Sequence, residues 1–200
     1  MTDLTRRAVL IAPIALAAAL AGCTPPPPPR PRFPAITFRH RPPIRLNVRE
    51  IRVEQAYVPP AKAPNIEHLL AVPPEQAAAR WARDRLVAAG TSGRLDYVVR
   101  DASMVEVPLT TKGGLTGLVT TEQAERYDAR VEIEMKLIED GGRVAGTATA
   151  EAVRSRTVAE NITLNQRETV WFQMTEDLMK DLDQQLETTI RSALAPFVLP

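Results

Sequence analysis

Few side chains in this chain are of types that do chemistry. It has two histidines and one cysteine. His68 follows Glu67, and a carboxylate beside an imidazole is the raw material of an acid–base couple. Neighbours in sequence rarely hydrogen-bond productively, however, and no nucleophile accompanies this pair, so a polar surface is the simpler reading. Ser92, Ser103, Ser155 and Ser192 lack the strand-to-helix turn that exposes a nucleophilic serine. Lys112-Gly113-Gly114 lacks the full glycine–lysine spacing of a phosphate-cradling loop. Glu132 and Glu134 fall on one face of a strand, where alternating charge usually marks the solvated side. One cysteine with two histidines can neither make a disulfide framework nor fill a structural zinc site. The sequence therefore predicts no enzyme, no cofactor and no metal.

The cysteine has a different chemistry in prospect. Arg6-Arg7 precede an apolar run from Ala8 to Leu20, which ends in Leu20-Ala21-Gly22-Cys23. This is the layout of an export signal, and the run is shorter than the ~20 residues that span a bilayer. Leu20-Ala21-Gly22-Cys23 resembles the lipobox of bacterial lipoproteins. That resemblance implies cleavage before Cys23, a diacylglycerol on its thiol and an acyl chain such as palmitate on its new amino group. Thr24, where aspartate commonly signals inner-membrane retention in that family, implies an outer-membrane address facing the periplasm. Thr5-Arg6-Arg7-Ala8-Val9-Leu10 is also similar to a twin-arginine signal, which leaves the export route open between that and the general one.

The anchor leads into a tract that has no core-forming pattern. Residues 24–43 contain nine prolines, five of them in the run Pro25 to Pro29, and favour polyproline II. Fully extended, such a spacer would reach ~60 Å. Six arginines and no acid fall between 24 and 49, so the mature chain divides into a basic arm of +6 and a remainder of about −6. Either the split holds the body off an anionic surface, or the arginines only keep a proline tract soluble. A formal charge of +1 for the whole chain removes the broad basic footprint of nucleic-acid binding. The expected division is a signal over 1–22, a lipidated Cys23 with a basic linker to 43, and one domain over 44–200.

The elements that would position any site follow from periodicity. Ile44–Val48 and Ile51–Glu54 alternate out of phase, which a bulge near Arg49-Glu50 would reconcile. Residues 58–73 form a long loop. Pro73-Pro74-Glu75 opens a helix with Ala78, Trp81, Ala82, Leu86 and Ala89 on one face, ended by Gly90 and Gly93. Leu95 to Leu109 reads as one long strand or two short ones, and 112–117 as a mobile loop. Val131–Leu137, then Asp140-Gly141-Gly142, then a strand with Val144, Gly146, Ala148, Ala150 and Ala152 inward, spells a hairpin. Thr163 to Gln166 has capping-box spacing and starts a helix of about thirty residues that stops before Pro196. Its apolar stripe runs through Trp171, Met174, Leu178, Leu182, Leu186, Ile190 and Ala193, with Glu176, Asp181, Asp183 and Glu187 facing water. The predicted fold is α+β: a single domain of order β-α-β-β-β-α, with two helices on one face of a mainly antiparallel sheet.

Two places remain for binding. The loop offers Ile66, Glu67, His68, Leu69 and Leu70 as a partner surface. Arg154 and Arg156 continue the inward phase of the alanine-lined strand, so either the strand overruns the core or the two cations line an anion-binding mouth. A thirty-residue helix over a narrow sheet would also overhang and expose an apolar groove. In address and architecture the chain resembles auxiliary lipoproteins of envelope lipid and lipopolysaccharide transport, over about Ile44 to Leu194. The resemblance implies a non-enzymatic accessory role beside an envelope transport or β-barrel protein. The alternative is a lipoprotein that itself holds an amphiphile between sheet and helices.

Overall fold

A computed structural model describes residues 32–109, 123–159 and 161–200. Cys23, the signal and the loop around Lys112 lie outside these residues. The strands are β1 (Ile44–Leu46), β2 (Glu50–Gln55), β3 (Leu86–Ala88), β4 (Arg94–Asp101), β5 (Met104–Pro108), β6 (Gln123–Ile138) and β7 (Val144–Ala159). The helices are α1 (Pro74–Arg85) and α2 (Leu164–Ala193). The fold is α+β, as the sequence predicts.

The β6–β7 hairpin is the spine. Its strands are 16 residues each, and Glu139 O accepts the Gly142 N–H at 2.8 Å across the turn. Gly142 sits at φ +81°, a conformation that costs glycine no Cβ clash. The second edge of β6 is shared end to end by two shorter strands: β5 pairs with it from Glu125 to Ala129, and β4 from Glu132 to Ile138. Beyond β4 lies β2, in parallel register. Odd-numbered β6 residues from Tyr127 to Leu137, with Leu95, Tyr97 and Val99 of β4, are buried on one face. The other face is charged and internally paired, for example Arg130 with Glu132 and Glu151, and Glu134 with Arg100 and Lys136. Such exposed pairs contribute little each but leave the face solvated.

Both helices cover the apolar face. Thr163 Oγ1 accepts the Gln166 N–H while Gln166 Oε1 accepts the Thr163 N–H, closing the capping box. The stripe from Trp171 to Ile190 is buried against β7, whose Ala148, Ala150 and Ala152 admit the helix closely. The predicted overhang does not follow from length: sixteen strand residues extend about 53 Å and thirty helical ones about 45 Å, so β7 is long enough to underlie α2. The buried stripe starts at Trp171, while Leu164 and Ala193 at the two ends are exposed. Val144 is not inward as expected but 50% exposed, because the β6–β7 register shifts between Leu137 and Ile138.

Three further expectations are corrected. The phase change after Val48 is not a bulge but a change of sheet. β1 pairs in parallel with β3 to form a separate two-stranded ribbon, and the C-terminal tail seals β1 through Asn47 N–H to Phe197 O and Leu199 N–H to Arg45 O, both 2.8 Å. For the same reason α1 ends at Arg85: Leu86-Val87-Ala88 gains more as a strand beside β1 than as another helical turn. The packed body also begins at Phe33 rather than 44. Phe33 stacks on Phe172 with ring centroids 4.7 Å apart, and Phe38 joins the core. The expected spacer is therefore shortened by the three apolar residues Phe33, Ile36 and Phe38 that interrupt its prolines.

Candidate functional site

The loop after β2 is held rigidly by a carboxylate. Glu67 lies in a single 3-10 turn and is 2% exposed. Its Oε1 accepts the Tyr57 hydroxyl at 2.9 Å, the Asn65 amide at 2.8 Å and the Met104 backbone N–H at 2.8 Å. Its Oε2 has no partner among the described residues. Burial, and next the hydrogen bond to Glu67, push the Tyr57 hydroxyl well above its usual pKa. The loop also docks on the outer edge of β5, with Ile66 N–H to Met104 O and Glu106 N–H to Pro64 O, both 2.9 Å. A backbone edge that would otherwise be open is thereby covered.

The five loop residues singled out by sequence thus divide. Ile66, Glu67 and Leu70 point into the body, whereas His68 is exposed and Leu69 is 54% exposed. Glu67 and His68 do not form a couple, since the carboxylate is turned into the body while the imidazole stands exposed outside it. What the loop presents outward is a small knob, His68-Leu69. It flanks a concavity of about 510 Å³ lined also by Pro64, Ile66, Glu106 and Pro108.

Arg154 and Arg156 lie on the helix-facing side of β7, as their phase predicts. Arg154 grips Asp181 of α2 with two nitrogens, at 2.6 and 2.8 Å, and Arg156 donates to Gln173 at 3.0 Å. The strand has not overrun the core; the two cations tie its end to the flank of α2. With Asp181 bound, the charge of Arg154 is matched within the fold.

The strongest polar assembly is one that sequence reasoning missed. Asp183 was expected to face water, yet it is 6% exposed. Its Oδ1 accepts the Trp81 indole N–H at 2.8 Å and Arg85 Nε at 3.2 Å, joining α2 to α1. Arg85 is 1% exposed and also reaches Glu187 at 2.6 Å and the Pro42 carbonyl. Arg41 adds a second cation, 3.4 Å from Asp183 and 2.9 Å from Glu187. The arm is thus strapped over both helices, with the Phe38 N–H and Arg39 on Asp84 at 3.0 and 3.1 Å. Three of the six arm arginines, Arg39, Arg41 and Arg49, are paired with acids of the body, which reduces the free charge of the arm. The signal was present in the sequence: Met179, Leu182, Asp183, Leu186 and Ile190 share one helical face, so Asp183 stands within the apolar stripe.

No described group of histidine, cysteine, aspartate or glutamate could hold a metal, and no described helix is long and apolar enough to cross a membrane. No protein-family model matches the chain, and no curated protein matches it by sequence. Among solved structures, a minor lipoprotein from Acinetobacter baumannii aligns over 78% of this chain and 98% of its own, at 16% identity and a TM-score of 0.36. A DUF330 protein from Xanthomonas campestris aligns over 80% and 93%, at 13% identity and a TM-score of 0.35. Both scores are too low to assign this chain a function.

Proposed function

We propose that this chain is a lipid-anchored accessory protein of the bacterial outer membrane, acylated on Cys23 and facing the periplasm. It binds a protein partner in envelope biogenesis or lipid transport through the His68-Leu69 knob and carries out no catalysis itself. The observation that carries this reading is Leu20-Ala21-Gly22-Cys23 placed directly after a charged start and a short apolar run. Several acyl chains, each contributing ~0.8 kcal/mol per buried methylene, make such an anchor stable. A rigid loop with an exposed leucine supports the partner-binding part, because ordering such a loop on binding costs little. The alternative, a carrier that holds an amphiphile between sheet and helices, has less support, since that space is filled by Val131, Ile133, Met135, Leu178 and Leu182.

The test is growth with labelled palmitate, followed by fractionation. Wild-type protein should carry label and sediment with outer membranes, and Cys23→Ser should lose both properties. A photo-crosslinker at Leu69 should then capture a discrete envelope protein. Unlabelled wild-type protein in the soluble fraction would overturn the anchor, and crosslinks no different from those of a probe at Thr149 on the charged face would overturn the role of the loop.

A further inference from the structure

Most arginines on the charged sheet face have an acid partner, but two on α1 do not. Arg80 and Arg83 stand three residues apart, hence side by side on the helix surface. Neither makes a hydrogen bond or ion pair with any described residue. With Arg39 and Thr37 of the arm they line a cavity of about 420 Å³ whose one acid is Asp84. That acid is already engaged: its side chain is nearly buried, its Oδ2 takes the Phe38 N–H and its Oδ1 takes Arg39 Nε. Three guanidiniums and one carboxylate leave the cavity at +2. A planar guanidinium matches two phosphate oxygens at once, and a threonine hydroxyl supplies one more donor.

We infer that Thr37, Arg39, Arg80 and Arg83 bind the phosphate of an anionic phospholipid headgroup, so that α1 rests on the bilayer surface. The inference depends on acylation of Cys23. Nine residues separate Cys23 from Phe33, and in polyproline II they reach about 30 Å. The tether therefore enters the body along the arm that supplies Thr37 and Arg39, and it confines the cavity to the neighbourhood of headgroups. The negative surface potential of an anionic leaflet falls off within a Debye length of ~8–10 Å, less than the full reach of the tether, so the +2 cavity senses it when α1 is at the surface, an approach the tether permits.

The experiment uses the acylated mature protein in vesicles. Its single cysteine is blocked by lipid, so Gln76→Cys adds a unique thiol one turn before Arg80, at an exposed position. A fluorophore on this thiol reports proximity to lipids that carry a headgroup quencher. Vesicles of phosphatidylcholine with phosphatidylglycerol should quench it, vesicles of phosphatidylcholine alone should not, and high salt should reverse the quenching. Arg80→Gln and Arg83→Gln should each weaken the quenching about fivefold while cosedimentation is kept by the acyl chains. Equal quenching on neutral vesicles, or none lost in the double variant, would overturn the headgroup site and leave the anchor standing. Failure to cosediment with phosphatidylcholine would overturn the anchor, and the headgroup site with it.

Discussion

The indole N–H of Trp81 donates to Asp183 Oδ1 at 2.8 Å, joining α1 to α2 through residues 102 apart in sequence. The same oxygen accepts from Arg85, so one buried carboxylate satisfies a buried indole and a buried guanidinium. Removing it strands the indole and takes one of three partners from Arg85. Asp183→Ala should destabilise the domain by about 1–3 kcal/mol, because the buried Trp81 N–H loses its acceptor while Arg85 keeps Glu187 and the Pro42 carbonyl. Replacing both ions, Arg85→Met with Asp183→Leu, should recover part of that loss, because apolar side chains of similar volume replace a buried ion pair without its desolvation cost. Urea midpoints at unchanged slope would read both effects. An Asp183→Ala midpoint equal to wild type would show that the Asp183 bonds do not stabilise the helix pair.

The strap over the helices should be pH-sensitive in a direction set by Glu187. Burial opposes its ionisation, but hydrogen bonds from Arg41 and Arg191, with the charge of Arg85, prevail and hold its carboxyl below the usual carboxylate range. A depressed native pKa adds stability above the unfolded value of about 4.3, and that stability is lost as pH falls through the native value. Below pH ~4 the arm should therefore loosen before the hairpin does. Amide exchange at Arg41, whose N–H bonds to Phe38 O, should quicken there while Ile133 stays protected, and Glu187→Gln should reduce the acid dependence, the remainder resting on Asp84 and Asp183. Parallel loss of protection at both amides would contradict this order.

The loop after β2 owes its shape to Glu67. Glu67→Ala leaves the Met104 N–H, the Tyr57 hydroxyl and the Asn65 amide without their acceptor, at a cost of about 1–3 kcal/mol for each group that water cannot reach. Glu67→Gln keeps an acceptor oxygen in place and should cost less. Hydrogen exchange at Met104 distinguishes the two variants: it should become fast in Glu67→Ala and stay slow in Glu67→Gln. If both behave alike, the carboxylate does not organise the loop.

Much of this architecture is legible in local pattern. Val131 to Leu137 with Asp140-Gly141-Gly142 announces the hairpin, and Thr163 with Gln166 places the start of α2, because alternation and capping are properties of neighbours in sequence. What stayed hidden is non-local. Leu86-Val87-Ala88 reads as the tail of a helix until Ile44–Leu46 lies beside it, 42 residues away in register. Asp183 reads as a solvated acid until Arg85 and Trp81 arrive from α1. The arm reads as a spacer because its prolines dominate its three apolar residues, and nothing in local pattern brings Arg39 to the same cavity as Arg80 and Arg83.

Gly90 makes the cost of the two-sheet arrangement measurable. The chain turns from β3 toward β4 immediately over the segment that links β1 to β2, with Gly90 N–H on Val48 O at 3.0 Å and Ala89 N–H on Leu46 O at 2.9 Å. A Cβ at position 90 would lie 2.5 Å from the Asn47 carbonyl carbon and 2.6 Å from Val48 N, both backbone atoms held by the ribbon. Neither can move without parting β1 from β3 or releasing the C-terminal tail, which bonds to Asn47 N–H through Phe197 O. Gly90→Ala should therefore destabilise by at least the ~1–3 kcal/mol typical of overpacking. Gly141→Ala, at the hairpin tip with nothing within 4 Å, should stay within about 0.5 kcal/mol of wild type. Thermal unfolding of the two variants side by side checks the arrangement, since a hairpin bulge in place of the sheet change would leave both substitutions equally mild.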